Sequence, residues 1–248
     1  MFDKYSNILT MILIFFVVAI CGIIGYFAYD LFNSNNINSK AQSAIDEFES
    51  ATQTVKKQNK TENVVKNEVD TNTDTDEPSI LTKPLDMNTS TIPESEEPGV
   101  EEPEIPEEPQ EPEKIFMEDY EVMGTIEIPK TGIKYPVLER VTVRSIEIAV
   151  AIAYGPGLNE TGNTVIYGHN YRNGLFFSDN KRLSNGDKIY ITDKYGEKIT
   201  YEIYNIYQTT ANDATYFTRD TEGRREISLQ TCTDSGDGRI VIWAVEKQ

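Results

Sequence analysis

Residues 226–245 read EISLQTCTDSGDGRIVIWAV, and they set the fold class. An apolar stretch, Glu226–Thr231, leads to Cys232. A glycine-rich turn follows over Asp234–Gly238, and a second apolar stretch runs from Arg239 to Val245. Two short apolar runs joined by a turn of this composition read as a β-hairpin. The hairpin returns Arg239 to the neighbourhood of Cys232.

Outward from this hairpin the same pattern recurs. Strands are expected at Val122–Ile128, Ile133–Leu138, Thr164–Tyr167, Lys188–Thr192 and Lys198–Tyr207. Ile189, Ile191, Ile199, Tyr201 and Ile203 alternate with polar residues, as half-buried strands do. Thr131-Gly132, Asn185-Gly186-Asp187 and Tyr195-Gly196 supply turns. Val143–Ala153 reads as a helix with Ile146, Val150 and Ala153 facing in, and Leu175–Leu183 as a short helical turn. Many short strands and few helices predict a mostly β domain, a barrel or sandwich of seven or eight strands, over residues 114–248.

The N-terminal side differs in kind. Ile8–Tyr29, ILTMILIFFVVAICGIIGYFAY, carries no charge. At about 1.5 Å per residue a helix of this length reaches roughly 33 Å, enough to cross a bilayer core. No small-residue cleavage site follows at Tyr29-Asp30-Leu31-Phe32, so an uncleaved anchor is expected rather than a signal peptide. Lys4 and the α-amine precede the span and the first base after it is Lys40. That places residues 1–7 inside and the remainder outside, a single-pass protein of the cell membrane with an extracytoplasmic domain. Beyond the anchor a polar loop is expected at Asn33–Ser39. A short helix is expected at Lys40–Lys57, with Ala41, Ala44, Ile45, Phe48 and Ala51 on one side and too weakly apolar to make a core.

The net charge of −18 is unevenly spread. Residues 114–248 hold 16 basic and 19 acidic side chains, leaving 7 and 22 to residues 1–113. Eight of the eleven prolines lie between Pro78 and Pro112. Residues 30–113 are therefore expected to be an acidic, Pro/Glu-rich linker without a core. At about 3.1 Å per residue in its proline-rich part, it is a spacer holding the domain away from the membrane. No basic stripe is present, which excludes nucleic acid as a partner.

The residues able to carry chemistry are few. The chain has one histidine, His169, and two cysteines. Cys21 lies in the apolar span, so Cys232 is the only thiol of the outward part and has no disulfide partner there. A free cysteine is often an inert core residue, a lone histidine an ordinary one, and an arginine opening a strand a solvated one. What raises them together is position: His169 and Cys232 each end an apolar strand. A thiol needs a base or cation beside it to become a nucleophile, and only one imidazole is available. Arg239 is a permanent cation suited to a carbonyl or an oxyanion. Asp234 and Asp237 are poorly spaced for a calcium loop, so no metal is expected, and no cofactor motif appears.

Taken in order, these residues resemble the sortase family. Gly162-Asn163-Thr164-Val165-Ile166-Tyr167-Gly168-His169 is similar to the family's histidine strand, and Ser228-Leu229-Gln230-Thr231-Cys232 to its T-L-x-T-C strand, with Ser228 for the first Thr. Arg239-Ile240-Val241-Ile242 is similar to the strand its arginine opens. Gly124–Ile133 followed by Tyr135-Pro136-Val137 resembles its opening hairpin. The resemblance implies an eight-stranded sortase-type β-barrel with one or two short helices. It implies a cysteine transpeptidase with Cys232 as nucleophile, His169 as acid/base and Arg239 as electrostatic helper, and with Leu229 and Thr231 lining the substrate groove. It implies partners too: surface proteins bearing a C-terminal LPXTG-like sorting signal, and a peptidoglycan precursor or other amine acceptor. The missing Asp-Pro-aromatic lid motif, the absence of a second span after Gln248 and the short His–Cys separation point to a class D-like or related small sortase. The competing readings are a cell-wall cysteine hydrolase or L,D-transpeptidase, whose S-H-G-C signature is absent, and a non-catalytic surface domain on an acidic stalk.

Overall fold

The computed structural model describes residues 2–68 and 112–247, with side chains described within 8–54 and 112–247. The acidic, proline-rich linker expected up to residue 113 lies outside the described residues from 69 to 111.

Nine strands follow the long N-terminal helix. They are β1 (Phe116–Met117), β2 (Tyr120–Ile128), β3 (Ile133–Leu138), β4 (Val150–Tyr154), β5 (Gly162–Tyr167), β6 (Lys188–Asp193), β7 (Lys198–Thr210), β8 (Arg225–Cys232) and β9 (Gly238–Glu246). Their order in the sheet is β1-β2-β3-β4-β5-β8-β9-β7-β6, and β6 also pairs with β2. That last pairing closes β2–β9 into an eight-stranded barrel with no free edge among them, while β1 is a short flap on β2. Neighbours run antiparallel except for β3–β4 and β5–β8. The interior is filled by alternate residues, among them Ile126, Ile128, Val137, Ile166, Ile189, Ile191, Leu229 and Ile242, each without exposed surface. Each such side chain contributes roughly 1.5–3 kcal/mol of burial.

One expected element divides in two. Val143–Ala153, read as a helix, is helical only over Val143–Ile148 (α2), and β4 begins at Val150. Thr142 caps α2 in a reciprocal capping box with Ser145. Ala149 turns extended, and Val150 and Ala151 pair in parallel with Val137 and Leu138. The sheet needed a strand to link β3 to β5, and that pairing overrides the local helical period. The short turn expected at Leu175–Leu183 is present as a single 3₁₀ turn, Asn180–Arg182.

The N-terminal helix α1 runs from Phe2 to Glu68. The polar run Asn33–Ser39, expected as a loop, is helical. Ala41, Ala44, Ile45 and Phe48 have helical spacing and are buried, three of them within the main core. Tyr135 of β3 donates a hydrogen bond to Asn38 Oδ1 at 2.9 Å, and Lys40 pairs with Glu118 at 3.2 Å. Docking on β2 and β3 thus fixes a stretch of low intrinsic helix propensity. Upstream, the apolar side chains from Ile8 to Phe32 are exposed along a helix long and apolar enough to cross a membrane.

Candidate active site

The barrel has a second apolar layer outside it. Val165 of β5 and Val241 of β9 are fully buried beneath Tyr216, which belongs to the segment between β7 and β8. Ile166, Leu229, Ile240 and Ile242 instead belong to the barrel interior. Strand alternation then assigns the faces. Tyr167 follows Val165 outward, Cys232 follows Ser228 and Gln230 outward, and Arg239 precedes Val241 outward.

Register brings these positions together. Cys232 and Arg239 are direct cross-strand partners in the β8–β9 pair. The next rung carries the bond from Thr233 N–H to Gly238 O, so Cys232 and Arg239 occupy a non-hydrogen-bonded rung, where Cα atoms lie about 4.5 Å apart. On the other side, Tyr167 pairs with Gln230 in parallel register. The ladder continues one step further, with Gly168 N–H donating to Gln230 O at 3.1 Å. His169 follows two residues after the last pair, and Asn170 next to it reaches the Cys232 carbonyl, so the histidine loop lies against the cysteine strand. The three candidate residues thus lie on, or just after, the neighbouring ends of β5, β8 and β9. All three are half-buried.

Local chemistry explains why these residue types stand here. A Cβ at Gly168 would lie 2.7 Å from Phe177 Cδ2 and 2.9 Å from Val150 Cγ1. Only glycine lets the chain pass at that point and present His169. The imidazole is held between two rings. Tyr171 stacks on it at 4.7 Å and 30°, and Tyr167 meets it edge-on at 5.7 Å and 74°. Tyr171 leans on Phe176, which packs on Tyr135, the residue hydrogen-bonded to α1. Asn170 ties the histidine loop to the cysteine strand, donating from Nδ2 to Cys232 O at 3.0 Å and to Asp234 Oδ1 at 2.9 Å. The Lys181 and Asn170 bonds hold the Asp234 carboxyl below its usual range.

The thiol has a side-chain contact that the sequence reading missed: Tyr167 Oη lies 3.7 Å from Cys232 Sγ. Burial, with the neighbouring sulfur adding to it, pushes the Tyr167 phenol well above its ordinary value. The alternation from His169 back to Tyr167 was the available signal, since residues two apart share a strand face. Arg239 Nη1 donates to Gly238 O at 3.1 Å, and its Nε is buried with no hydrogen-bond partner among the described residues. Leu229 and Thr231, expected to line the groove beside the thiol, are fully buried and face the barrel interior. An odd-numbered offset from Cys232 puts them on the opposite face. No group of three or more potential metal ligands occurs among the described residues.

Burial lowers the His169 pKa, with Glu147 acting weakly in the other direction. With one imidazole in the chain, a single proton-resonance titration reads it directly. The expected midpoint lies below about 6.5, the value of an unperturbed histidine. On acidification the unfolded chain then takes up this proton first, so stability falls as pH drops below about 6.5, until folded His169 is itself protonated. His169→Gln removes that part of the acid dependence. A midpoint at or above the unperturbed value would contradict the burial argument.

A family model described as Sortase domain matches residues 126–247. Sortase A of Bacillus anthracis is 30% identical over 118 residues, which cover 47% of this chain and 55% of that protein. The chain thus spans about half the length of that relative. Among solved structures, a lid mutant of sortase A from Corynebacterium diphtheriae matches with a TM-score of 0.48 and 25% identity, over 52% of this chain and 72% of that one. A Clostridium perfringens sortase D5 transpeptidase matches with a TM-score of 0.47 and 26% identity, over 51% and 79%. The domain match, the eight-stranded barrel and the ordered His, Cys and Arg strands agree: residues 126–247 are a sortase-like domain.

Proposed function

We propose that this protein is a membrane-anchored cysteine transpeptidase that cleaves an LPXTG-like sorting signal and transfers the released acyl group to an amine. The observation that supports the reading is that Cys232 and Arg239 are cross-strand partners and that the loop carrying His169 is tied to the Cys232 carbonyl through Asn170. His169, held neutral by burial at neutral pH, accepts the Cys232 thiol proton. The sulfur attacks the scissile carbonyl between Thr and Gly of the signal, and the C=O electron pair moves onto oxygen. Arg239 stabilises that oxyanion. Collapse expels the amine, which takes the proton from His169, and leaves a thioester on Cys232. The acceptor amine then attacks the thioester, now with His169 as base, so one hard amide exchange becomes two easier steps.

In this reading the apolar part of α1 spans the cell membrane with its N-terminus inside. The amine comes from a peptidoglycan precursor or a comparable cell-wall acceptor, and the chain is of a small, class D-like type. The test is incubation with a panel of sorting-signal peptides and an amine acceptor, followed by mass spectrometry. The expected result is an acyl adduct on Cys232 and a peptide–acceptor product. Release of hydrolysed peptide alone, whatever the acceptor concentration, would favour a cysteine hydrolase. Failure to cleave any peptide, with Cys232 alkylating slowly and equally in wild type and His169→Ala, would leave a non-catalytic surface domain.

A further inference from the structure

The geometry points to Tyr167 as an additional catalytic residue, whose hydroxyl donates a hydrogen bond to the Cys232 sulfur and stabilises its thiolate. The inference rests on the reading of Cys232 as nucleophile and goes beyond it, because the His, Cys and Arg strands do not require a tyrosine at this place. Tyr167 Oη is 3.7 Å from Sγ, within the range of a hydrogen bond to sulfur. The residue lies on β5, flanked by β4 and β8, so its backbone is fixed on both sides. Its ring also meets the His169 imidazole edge-on. One side chain therefore touches both members of the thiol–imidazole pair.

The chemistry of the phenol suits the role. Burial keeps it protonated far into the alkaline range, so it remains a donor wherever the thiolate exists. When sulfur is a thiol, either atom can donate. Once the proton has moved from Sγ to His169, the sulfur only accepts, and Tyr167 O–H is already beside it. Tyr167 gives up no proton in the cycle. On attack the sulfur lone pair becomes the S–C bond, and the hydroxyl loses its charged acceptor. The hydrogen bond therefore acts on formation of the nucleophile.

Other charged or titratable groups surround the pair. Arg239 faces Cys232 from β9, and His169 and Tyr171 lie on the strand end and loop after β5. Glu147 acts from α2 on His169 and Tyr171. Asp234 follows Cys232 and is paired with Lys181, with Arg172 acting on it from the loop after β5. All of them persist in Tyr167→Phe, which removes one oxygen atom and keeps the ring.

The experiment measures site-resolved alkylation of Cys232 against pH in the full chain, with Cys21 read separately, alongside kcat and KM for peptide transfer. Tyr167→Phe is expected to raise the Cys232 midpoint by about one pH unit, lowering alkylation near neutral pH roughly tenfold. kcat should fall by a similar factor with KM little changed, and the rate should recover at high pH. Difluorotyrosine at position 167, a stronger donor, is expected to move the midpoint the other way. A packing role alone would change folding or KM but would not move the thiol midpoint in opposite directions. If His169→Ala alters the Cys232 profile while both Tyr167 replacements leave it unchanged, this inference is wrong and the transpeptidase reading stands. If His169→Ala also has no effect, the underlying reading itself fails.

Discussion

Cys232→Ala is expected to lower the rate of peptide transfer on the order of 10⁴-fold or more, with the fold intact. Loss of a covalent nucleophile acts on this scale because the remaining groups lose the step they serve. The substitution replaces a half-buried sulfur on the outer face by hydrogen, so little packing is lost. The β8–β9 ladder through this rung is a backbone feature and survives. Arg239→Ala should cost less, about 10²–10³-fold in kcat, the effect of removing one oxyanion donor. Arg239→Lys should recover little of it. Lysine is a compact point charge on a flexible stem and cannot reproduce the planar fork of guanidinium. Chromatographic assay of peptide product, with thermal unfolding as a folding control, reads both. Retention of transfer within tenfold in Cys232→Ala would remove this residue from the chemistry.

Glu226→Ala is expected to destabilise the domain by about 3–5 kcal/mol, the penalty for stripping one partner from a buried ion pair. Glu226 has a fully buried side chain at the start of β8, and Arg219, 11% exposed, lies against it from the segment between β7 and β8. Tyr204 Oη donates to Glu226 Oε2 at 2.6 Å, and Arg224 Nη2 sits 3.0 Å from Oε1. Arg219 in turn donates from Nη2 to Asn163 Oδ1 at 3.1 Å and lies 4.6 Å from the centre of the Trp243 ring. Without Glu226 the Arg219 charge stays buried and uncompensated. For a domain of this size the unfolding temperature should fall by roughly 10–20 °C. The double replacement Arg219→Met with Glu226→Leu should recover much of the loss, because apolar groups of similar volume replace buried ion pairs at little cost. A fall of less than about 1 kcal/mol in Glu226→Ala would mean that water reaches the pair.

The network also has a position that matters to the site. Asn163 Nδ2 donates to the carbonyls of Tyr216 and Phe217, at 2.9 and 3.1 Å, while its Oδ1 accepts from Arg219 and Ser228. One asparagine in the histidine strand thus pins the segment that covers the outer face. Loosening of this cover is expected to accompany the loss of Glu226.

The parts of this architecture that were legible in the sequence were those set by local alternation and punctuation. The β8–β9 hairpin announces itself through its glycine-rich turn, and β6 and β7 through large apolar residues at every second position from Ile189 to Ile191 and from Ile199 to Ile203. His169, Cys232 and Arg239 stand out because each ends or opens an apolar run, and the first two have no rival of their kind in the outward part. Strand β4 was hidden because VRSIEIAVAIA carries a helical period, and only a tertiary partner, β3, decides against it. The groove residues failed for a different reason. Leu229 and Thr231 are close to Cys232 in sequence, but alternation turns both inward. Tyr167 is distant in sequence, and the parallel register brings it to the sulfur. The helical state of Asn33–Ser39 depends on docking further along the same helix, which no local signal records.

That helix bears on where the barrel would stand relative to a membrane. The acidic stretch was read as a stalk between membrane and catalytic domain. Residues up to Lys57 and from Pro112 onward form one compact unit, which holds both the docked stretch of α1 and the barrel. The connection from the apolar span to the barrel is the helix from Tyr29 to Ala41, twelve residue steps and about 18 Å of axial rise. On the membrane-anchored reading, α1 is a strut rather than a tether. The thiol then stands at a set distance from the lipid, and a substrate would have to present its cleavage site at that height.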